Sequence, residues 1–292
     1  MIVGYGFDEQ FKRIIKKNIP RITFCDYPLQ DAPSNVLEET EVALVFVFSN
    51  VNQTCLQKMP NLKKVITLSA GTDHIDFEAC EEHDVEVYNT PQYGSQTVAE
   101  QGIALLLCFE RHLIGIREED YTSFSREPYL SRELRNKTIG VVGTGAIGKS
   151  MVSIADGFNM NILAYDIEED EEVKQVASYV SLNEMCEKVD YLSIHVPFNK
   201  HTENLIGKEQ LDSLSEDAVV INTARARVVD EDVLVEKLQN KELRGALLDV
   251  YKDKNYKALK DLNNTIITPH NAFYTKAALK NMAEQAAKQV LG

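Results

Sequence analysis

An α/β protein built of two doubly wound parallel-sheet domains is the fold class this sequence predicts, on three observations. Strand-like apolar runs alternate with amphipathic helical stretches in two series, separated by one long helical segment. The 292 residues are too many for one ordinary core and suit two domains. Runs such as "ALVFVF" are apolar throughout, the pattern of parallel strands covered on both faces.

Element by element, "IVGYG" reads as the first strand, and Asp8 as the N-cap of the amphipathic "EQFKRIIKKN". "RITFC", "ALVFVF", "KKVITLS" and "VEVYN" supply further strands, the last ending at Thr90-Pro91. A helix over about 97–116 leads away. From Thr138 the second series runs "TIGVVG", "NILAYD", "YLSIHV", "VVINTA", "RGALLDV" and "TIITPH", with Ser181 an N-cap for "LNEMCEKV". "TKAALKNMAEQAAKQVL" is strongly helical. The expected domains are residues 1–94 with 273–292, for substrate, and 95–272, for a nucleotide, with a cleft between them. Ligands of such sheets sit outside the carboxyl ends of the strands.

Composition narrows the function classes. With 45 acidic against 31 basic residues the net charge is −14, and no basic run forms a phosphate-tracking stripe, so neither nucleic acid nor an anionic membrane is an expected partner. The most apolar segment, "VAEQGIALLLCFERHLIGI", is interrupted by Glu100, Glu110 and Arg111 and reads as a buried helix of a soluble protein. Five scattered cysteines without a CxxC pair, and no basic-plus-apolar leader, predict reduced thiols in the cytoplasm. Six histidines without an HxxxH or His/Cys cluster predict no metal site.

"TIGVVGTGAIGKS" contains Gly143, Gly145 and Gly148 in GxGxxG spacing, after a β-rich run and before a helix. Gly143 permits the turn, Gly145 lets the backbone approach a pyrophosphate, and Gly148 lets helix and strand pack closely. Asp166 follows 23 residues after Gly143 at the end of the next strand, where a carboxylate binds ribose hydroxyls and repels a 2′-phosphate. These residues predict a Rossmann domain that takes NAD rather than NADP.

Arg225, opening out of "VVINTA", suits a carboxylate, because its planar fork engages two oxygens at once; Arg227 reads as a surface charge. His195, Val196 and Pro197 end another strand and read as a wall of the nucleotide pocket. Asp249 either holds a nicotinamide amide or caps the next turn, and spacing does not separate the two. Ala70, Gly71 and Thr72 form a loop whose N–H groups suit an anion, with a plain glycine turn as the alternative. "TIITPHNAFYT" reads as a buried β-branched strand delivering His270 to its carboxyl end, as an acid/base or as a structural histidine.

The motifs "NTPQYGSQTVAEQGIALLL", "LRNKTIGVVGTGAIGKS", "ILAYD", "SIHVP", "INTARARVVDEDVLVEKLQNKELRGALLDVY" and "IITPHNAFYT", in this order over residues 66–282, resemble the D-isomer-specific 2-hydroxyacid dehydrogenase family. "HNAFYT" is particularly similar to its D-lactate and D-2-hydroxyisocaproate branch. The resemblance implies a flavodoxin-like substrate domain beside the Rossmann domain, and reduction of small 2-oxo acids to D-2-hydroxy acids by hydride transfer from NADH. It implies that Arg225 binds the substrate carboxylate and polarises the keto group, and that His270 is the acid/base. It implies cofactor contacts at Thr97, Gly143, Thr144, Gly145, Ala146, Ile147, Gly148, Asp166, His195, Val196, Pro197, Thr223, Ala224, Arg225 and Asp249. The substrate-side loop falls on Ala70, Gly71 and Thr72, and a homodimer through the nucleotide-binding domain is implied. The chain departs from the pattern at Lys254, which stands where the family carries the Glu that pairs with the catalytic His, with Asp253 the adjacent acid, and at Ala226, where Gly or Pro is usual. A rival class is a non-catalytic NAD(H)-binding protein of the same fold, as in corepressor relatives; formate or phosphite oxidation is a third.

Overall fold

The computed structural model describes residues 1–114 and 129–291. They form two compact units, one of residues 1–94 with 274–292 and one of residues 95–273.

The smaller unit is a five-stranded parallel sheet of β1 (Ile2–Tyr5), β2 (Thr23–Cys25), β3 (Val42–Val45), β4 (Lys64–Thr67) and β5 (Glu86–Tyr88), in the order β2-β1-β3-β4-β5. Its helices are α1 (Glu9–Asn18), α2 (Ser34–Glu39), α3 (Gln53–Leu56) and α4 (Phe77–Glu82), with the carboxyl-terminal helix Lys276–Leu291 packed on α1. Asp8 caps α1 by accepting from Phe11 N at 2.9 Å, and the helix buries Phe11 and Ile15. The apolar run "ALVFVF" is strand only as far as Val45, whose partner Thr67 ends β4; with no ladder beyond, the chain turns, and Ser49 N bonds Phe46 O at 2.8 Å.

The larger unit is a seven-stranded parallel sheet of β6 (Thr138–Val142), β7 (Asn161–Tyr165), β8 (Ser178–Tyr179), β9 (Tyr191–Ile194), β10 (Val219–Asn222), β11 (Gly245–Leu248) and β12 (Thr265–Ile267). The order is β12-β11-β10-β9-β6-β7-β8, so the chain reverses its direction of winding at the β9/β6 boundary. The helices are α5 (Ser95–Glu110), α6 (Ala146–Gly157), α7 (Leu182–Lys188), α8 (Lys208–Ser213), α9 (Glu231–Gln239) and α10 (Tyr256–Lys260). Successive residues of a strand face opposite sides. Val219 and Ile221 enter one core with Tyr191 and Leu247, while Val220 enters the other with Leu192 and Leu248. Both faces are therefore dry, which is why these strands are written in apolar residues without alternation. The edge strand β12 is only half-buried, in contrast to the fully buried strand its β-branched sequence predicts, because only β11 pairs with it.

The predicted helix over 97–116 starts earlier, at Ser95, and stops at Glu110, with His112 at φ 53°. Residue 116 lies outside the described residues. The stop coincides with a buried charge. Glu110, 2% exposed, accepts from the Arg244 guanidinium and, at 2.9 Å, from the Tyr191 hydroxyl, and Arg244 Nε also donates to Asp217 O. Burial and the neighbouring carboxylate push the Tyr191 hydroxyl pKa up. Among the described residues no helix is long and apolar enough to cross a membrane.

Removing one partner of such a pair strands the other charge. Arg244→Met is expected to cost roughly 3 kcal/mol of stability, and Arg244→Met combined with Glu110→Gln less than that. Urea unfolding midpoints of the two variants check the order; equal losses contradict it.

Candidate active site

All seven strands of the larger unit run parallel, so their carboxyl ends share one edge. The predicted residues of this unit sit there in register, except Thr97, which lies in the first turn of α5. Gly143 follows β6 at φ 91° and bonds Tyr165 O through its N–H at 2.8 Å. A Cβ on Gly143 would lie 2.8 Å from Val196 Cγ1 and 2.9 Å from the His195 carbonyl oxygen. Gly145 is the N-cap of α6, and nothing lies within 4 Å of a Cβ there, so the helix start is open to an approaching group. Ala146 and Ile147 form the first turn with Gly148. A Cβ on Gly148 would meet Gly143 O at 1.9 Å, so only glycine fits. Asp166, after β7, accepts from Thr144 N at 2.6 Å and from Ile167 N at 2.7 Å.

His195 follows β9, and its N–H bonds Val142 O at 2.7 Å, across the β9/β6 boundary. Its Nε2 lies 2.8 Å from Ser193 Oγ, while the buried Nδ1 has no hydrogen-bond partner among the described residues. Burial lowers the pKa of this imidazole to about 4, so it is neutral at pH 7. After β10, the Asn222 side chain shapes the next turn, accepting from Ala224 N and donating to Arg225 O, both at 3.0 Å. Arg225 donates to Ala224 O, and the buried Thr223 Oγ1 has no hydrogen-bond partner among the described residues. Arg227 is exposed, bound to Glu203 at 2.7 Å and laid over Phe198.

Asp249 follows β11 and is 1% exposed. Its Oδ1 accepts from Thr268 Oγ1 and Asn271 N, and its Oδ2 from Ala272 N at 3.0 Å. His270 N bonds Asp249 O at 2.9 Å. The carboxylate thus grips the turn after β12 on both sides of His270, which is held at φ 51°, a left-handed conformation unusual for any residue but glycine. Of the two roles spacing left open for Asp249, the cap of the next turn is the one its hydrogen bonds display. Lys254 is exposed, in the turn 253–255, and donates to Asp232 at 2.7 Å. Glu231, 2% exposed, ties that turn down by accepting from Lys252 N and Asn255 Nδ2.

In the smaller unit, Ala70, Gly71 and Thr72 follow β4. Asn89 Nδ2 donates to Ala70 O at 2.9 Å, and Ser69 Oγ donates to Gly71 O at 2.7 Å. Those two carbonyls are engaged by side chains, and among the described residues the three N–H groups have no acceptor. That is the polarity of an anion-binding loop.

Residues 103–272 match the family model of the D-isomer-specific 2-hydroxyacid dehydrogenase NAD-binding domain. The chain belongs to the D-isomer-specific 2-hydroxyacid dehydrogenases. An aromatic 2-oxoacid reductase of Clostridium sporogenes is 33% identical over 253 residues, covering 80% of this chain and 76% of the relative. A glyoxylate reductase of Thermococcus litoralis is 30% identical over 267 residues, 87% of this chain and 81% of that one. Among solved structures, a D-lactate dehydrogenase of Aquifex aeolicus complexed with NAD and lactic acid superposes with a TM-score of 0.89 at 30% identity, covering 100% of this chain and 94% of that one.

As a member of the D-2-hydroxyacid dehydrogenases the chain takes NAD, and the residues present fit it. The open start of α6, the glycine contact behind it and Asp166 are arranged as a dinucleotide cradle. Two of the buried side-chain atoms without a hydrogen-bond partner among the described residues, His195 Nδ1 and Thr223 Oγ1, follow the adjacent strands β9 and β10. Sequence reasoning missed the residues that hydrogen-bond the predicted ones and their turns, namely Asn222, Ser193, Thr268 and Glu231. Asn222 alone left a trace, as the polar residue that ends an apolar strand.

The depressed pKa of His195 has a thermodynamic consequence. Between about pH 6.5 and about pH 4 the unfolded chain binds a proton here that the folded chain does not. Stability contributed by this site is therefore full above the unfolded value and falls as pH drops through that window. Urea midpoints measured from pH 7.5 to 4.5 are expected to fall less steeply in His195→Asn than in the wild type. Parallel slopes contradict the assignment.

Proposed function

We propose that this dehydrogenase reduces small 2-oxo acids of the D-lactate type to D-2-hydroxy acids. The observation that carries the reading is the grip of buried Asp249 on the His270 turn, which holds an imidazole in a strained backbone conformation at the edge that also carries the glycine turn. The chemistry the dinucleotide would supply when bound is a hydride, delivered from NADH to C2 of the substrate. Arg225 binds the substrate carboxylate through its planar fork and draws electron density from the carbonyl. His270 donates a proton to the carbonyl oxygen during reduction and takes it back in the reverse direction. The N–H groups of Ala70, Gly71 and Thr72, in the smaller unit, are by themselves a candidate seat for an anionic group. The cofactor contacts in this proposal are Thr97, the turn 143–148, Asp166, His195 to Pro197 and Thr223 to Arg225, with Asp249 acting through the turn it holds. A homodimer in the cytoplasm belongs to the same proposal, and sedimentation velocity checks the dimer.

A second reading, a non-catalytic NAD(H)-binding protein, is favoured by one observation: Lys254, at the position of the family's glutamate, bonds Asp232. NADH oxidation with pyruvate, phenylpyruvate and glyoxylate separates the two. Turnover supports the reductase; NADH binding without turnover on any acid supports the second reading.

Within the reductase, His270→Gln is expected to lower kcat by roughly 10²–10⁴ with NADH binding retained. Arg225→Lys loses the bidentate fork and is expected to raise KM for the 2-oxo acid and lower kcat together. Near-normal turnover in His270→Gln removes the mechanism.

Asp249→Asn replaces one accepting oxygen with a donor, so one of the gripped N–H groups is left unpaired. The expected result is a kcat reduced by about tenfold or more, with a stability loss of about 1–3 kcal/mol. Steady-state kinetics alongside urea unfolding check it; unchanged kcat in a folded Asp249→Asn enzyme contradicts the grip.

A further inference from the structure

Asp166 is not held by the glycine turn alone. Behind it runs a chain of hydrogen bonds in which every donor points the same way. The Asp170 N–H donates to the Tyr179 hydroxyl at 3.0 Å, Tyr179 donates to Thr144 Oγ1 at 2.8 Å, and Thr144 Oγ1 donates to Asp166 Oδ2 at 3.2 Å. Thr144 N adds a bond to the same oxygen at 2.6 Å. The other carboxylate oxygen accepts from Ile167 N at 2.7 Å. Hydrogen bonds aligned head to tail polarise one another, and this chain ends on a charge, where the last bond gains most.

Three separate pieces of the larger unit meet in this chain. Tyr179 lies on β8, the two-residue edge strand beyond β7. Thr144 lies inside the glycine turn between Gly143 and Gly145. Asp170 lies in the acidic segment 168–172 that follows Asp166. That segment is fastened a second time, to α6, by Lys149 at 2.6 Å from Asp170 Oδ2. Asp170 Oδ1 in turn accepts from Glu172 N and Val173 N. The short strand β8 thus places one phenol where it ties the glycine turn to the acidic segment.

We propose that Tyr179, acting through Thr144, is a positioning residue for Asp166 that sets NADH affinity and the discrimination against NADPH. The proposal rests on Asp166 meeting the adenosine ribose. A carboxylate fixed in place accepts from ribose hydroxyls without first being ordered, and it stays where a 2′-phosphate must approach. Cutting the chain leaves Thr144 Oγ1 without the phenol and lets Asp166 turn. NADH then loses affinity, while NADPH is penalised less. General loosening of the fold weakens both nucleotides alike, so the ratio of the two separates positioning from damage.

The test is fluorescence titration of the full chain with NADH and with NADPH, in the absence of any 2-oxo acid. Four variants are compared with the wild type: Tyr179→Phe, Thr144→Val, the double Tyr179→Phe/Thr144→Val, and Asp166→Ser. Tyr179→Phe keeps the ring and removes one neutral hydrogen-bonding group, and it is expected to raise the NADH Kd about fivefold, with the NADPH Kd unchanged or lower. Thr144→Val cuts the same chain one link further on and gives a second reading if Tyr179→Phe does not fold. The double variant is expected to be no weaker than the poorer single one, because both cut one chain. If Asp166→Ser weakens NADH binding and neither Tyr179→Phe nor Thr144→Val does, the relay is overturned and the role of Asp166 stands. If Asp166→Ser binds NADH as the wild type does, the role of Asp166 fails and the relay fails with it. Equal loss of NADH and NADPH affinity in Tyr179→Phe also overturns the proposal, since that is the mark of a merely structural tyrosine.

Discussion

Seven strands running one way, in one sheet, constrain nearly everything in the larger unit. Their common direction collects this unit's strand-to-loop turns at a single edge, where the turns carrying Gly143, Asp166, His195, Arg225, Asp249 and His270 follow β6, β7, β9, β10, β11 and β12. Parallel pairing also obliges each strand to be apolar on both sides, so the polar residues needed for chemistry are excluded from the strand bodies and gather at their ends. The winding reverses between β9 and β6, the kind of point at which ligands of open parallel sheets bind. His195 N bonded to Val142 O is the backbone link across that point.

Buried carboxylates are used here as fasteners. Glu110 binds the end of α5 to the start of β11 through Arg244, Glu231 holds the turn 253–255 by one backbone N–H, that of Lys252, shared between its two oxygens, and by the Asn255 amide, and Asp249 holds the turn after β12. Each lies within 2% of complete burial. A charge in such a place has a large desolvation cost unless its lone pairs are filled, so each carboxylate enforces the geometry of its donors. Burial raises the pKa of Glu231 despite its donors. These acids differ in kind from the exposed acids that give the chain its charge of −14, many of which sit in surface ion pairs with little energetic weight.

The fold was legible because its signal is local and repeated. Apolar runs spaced by amphipathic helices, with a glycine motif at the first turn of the second series, name a doubly wound architecture without any long-range information. The misreadings share one cause. The run "ALVFVF" is uniform, but β3 ends where its neighbour β4 ends. The β-branched run before His270 is half-buried because only β11 pairs with it. Strand β8, of two residues, carries no period at all. The positioning residues were hidden for a related reason. Tyr179 and Thr144 are 35 positions apart and Asp249 and Ala272 are 23 apart, and they meet only once the strand order is known. Gly148, by contrast, announces itself, because its contact with Gly143 lies within one motif.

The turn that carries Lys254 separates two properties that a site usually binds together. Its backbone shape is set from beneath, by Glu231 gripping Lys252 N and Asn255, while the Lys254 side chain lies outside on an exposed partner, Asp232. Shape and occupant are therefore independent. A lineage can exchange the residue at this position in one mutational step without remodelling the loop, which makes position 254 a socket for evolutionary change on a frame that stays still. The same independence makes the occupant responsive to its medium: an ion pair this exposed is screened within a Debye length of about 8 Å at physiological salt, whereas the buried grip beneath it is shielded far more.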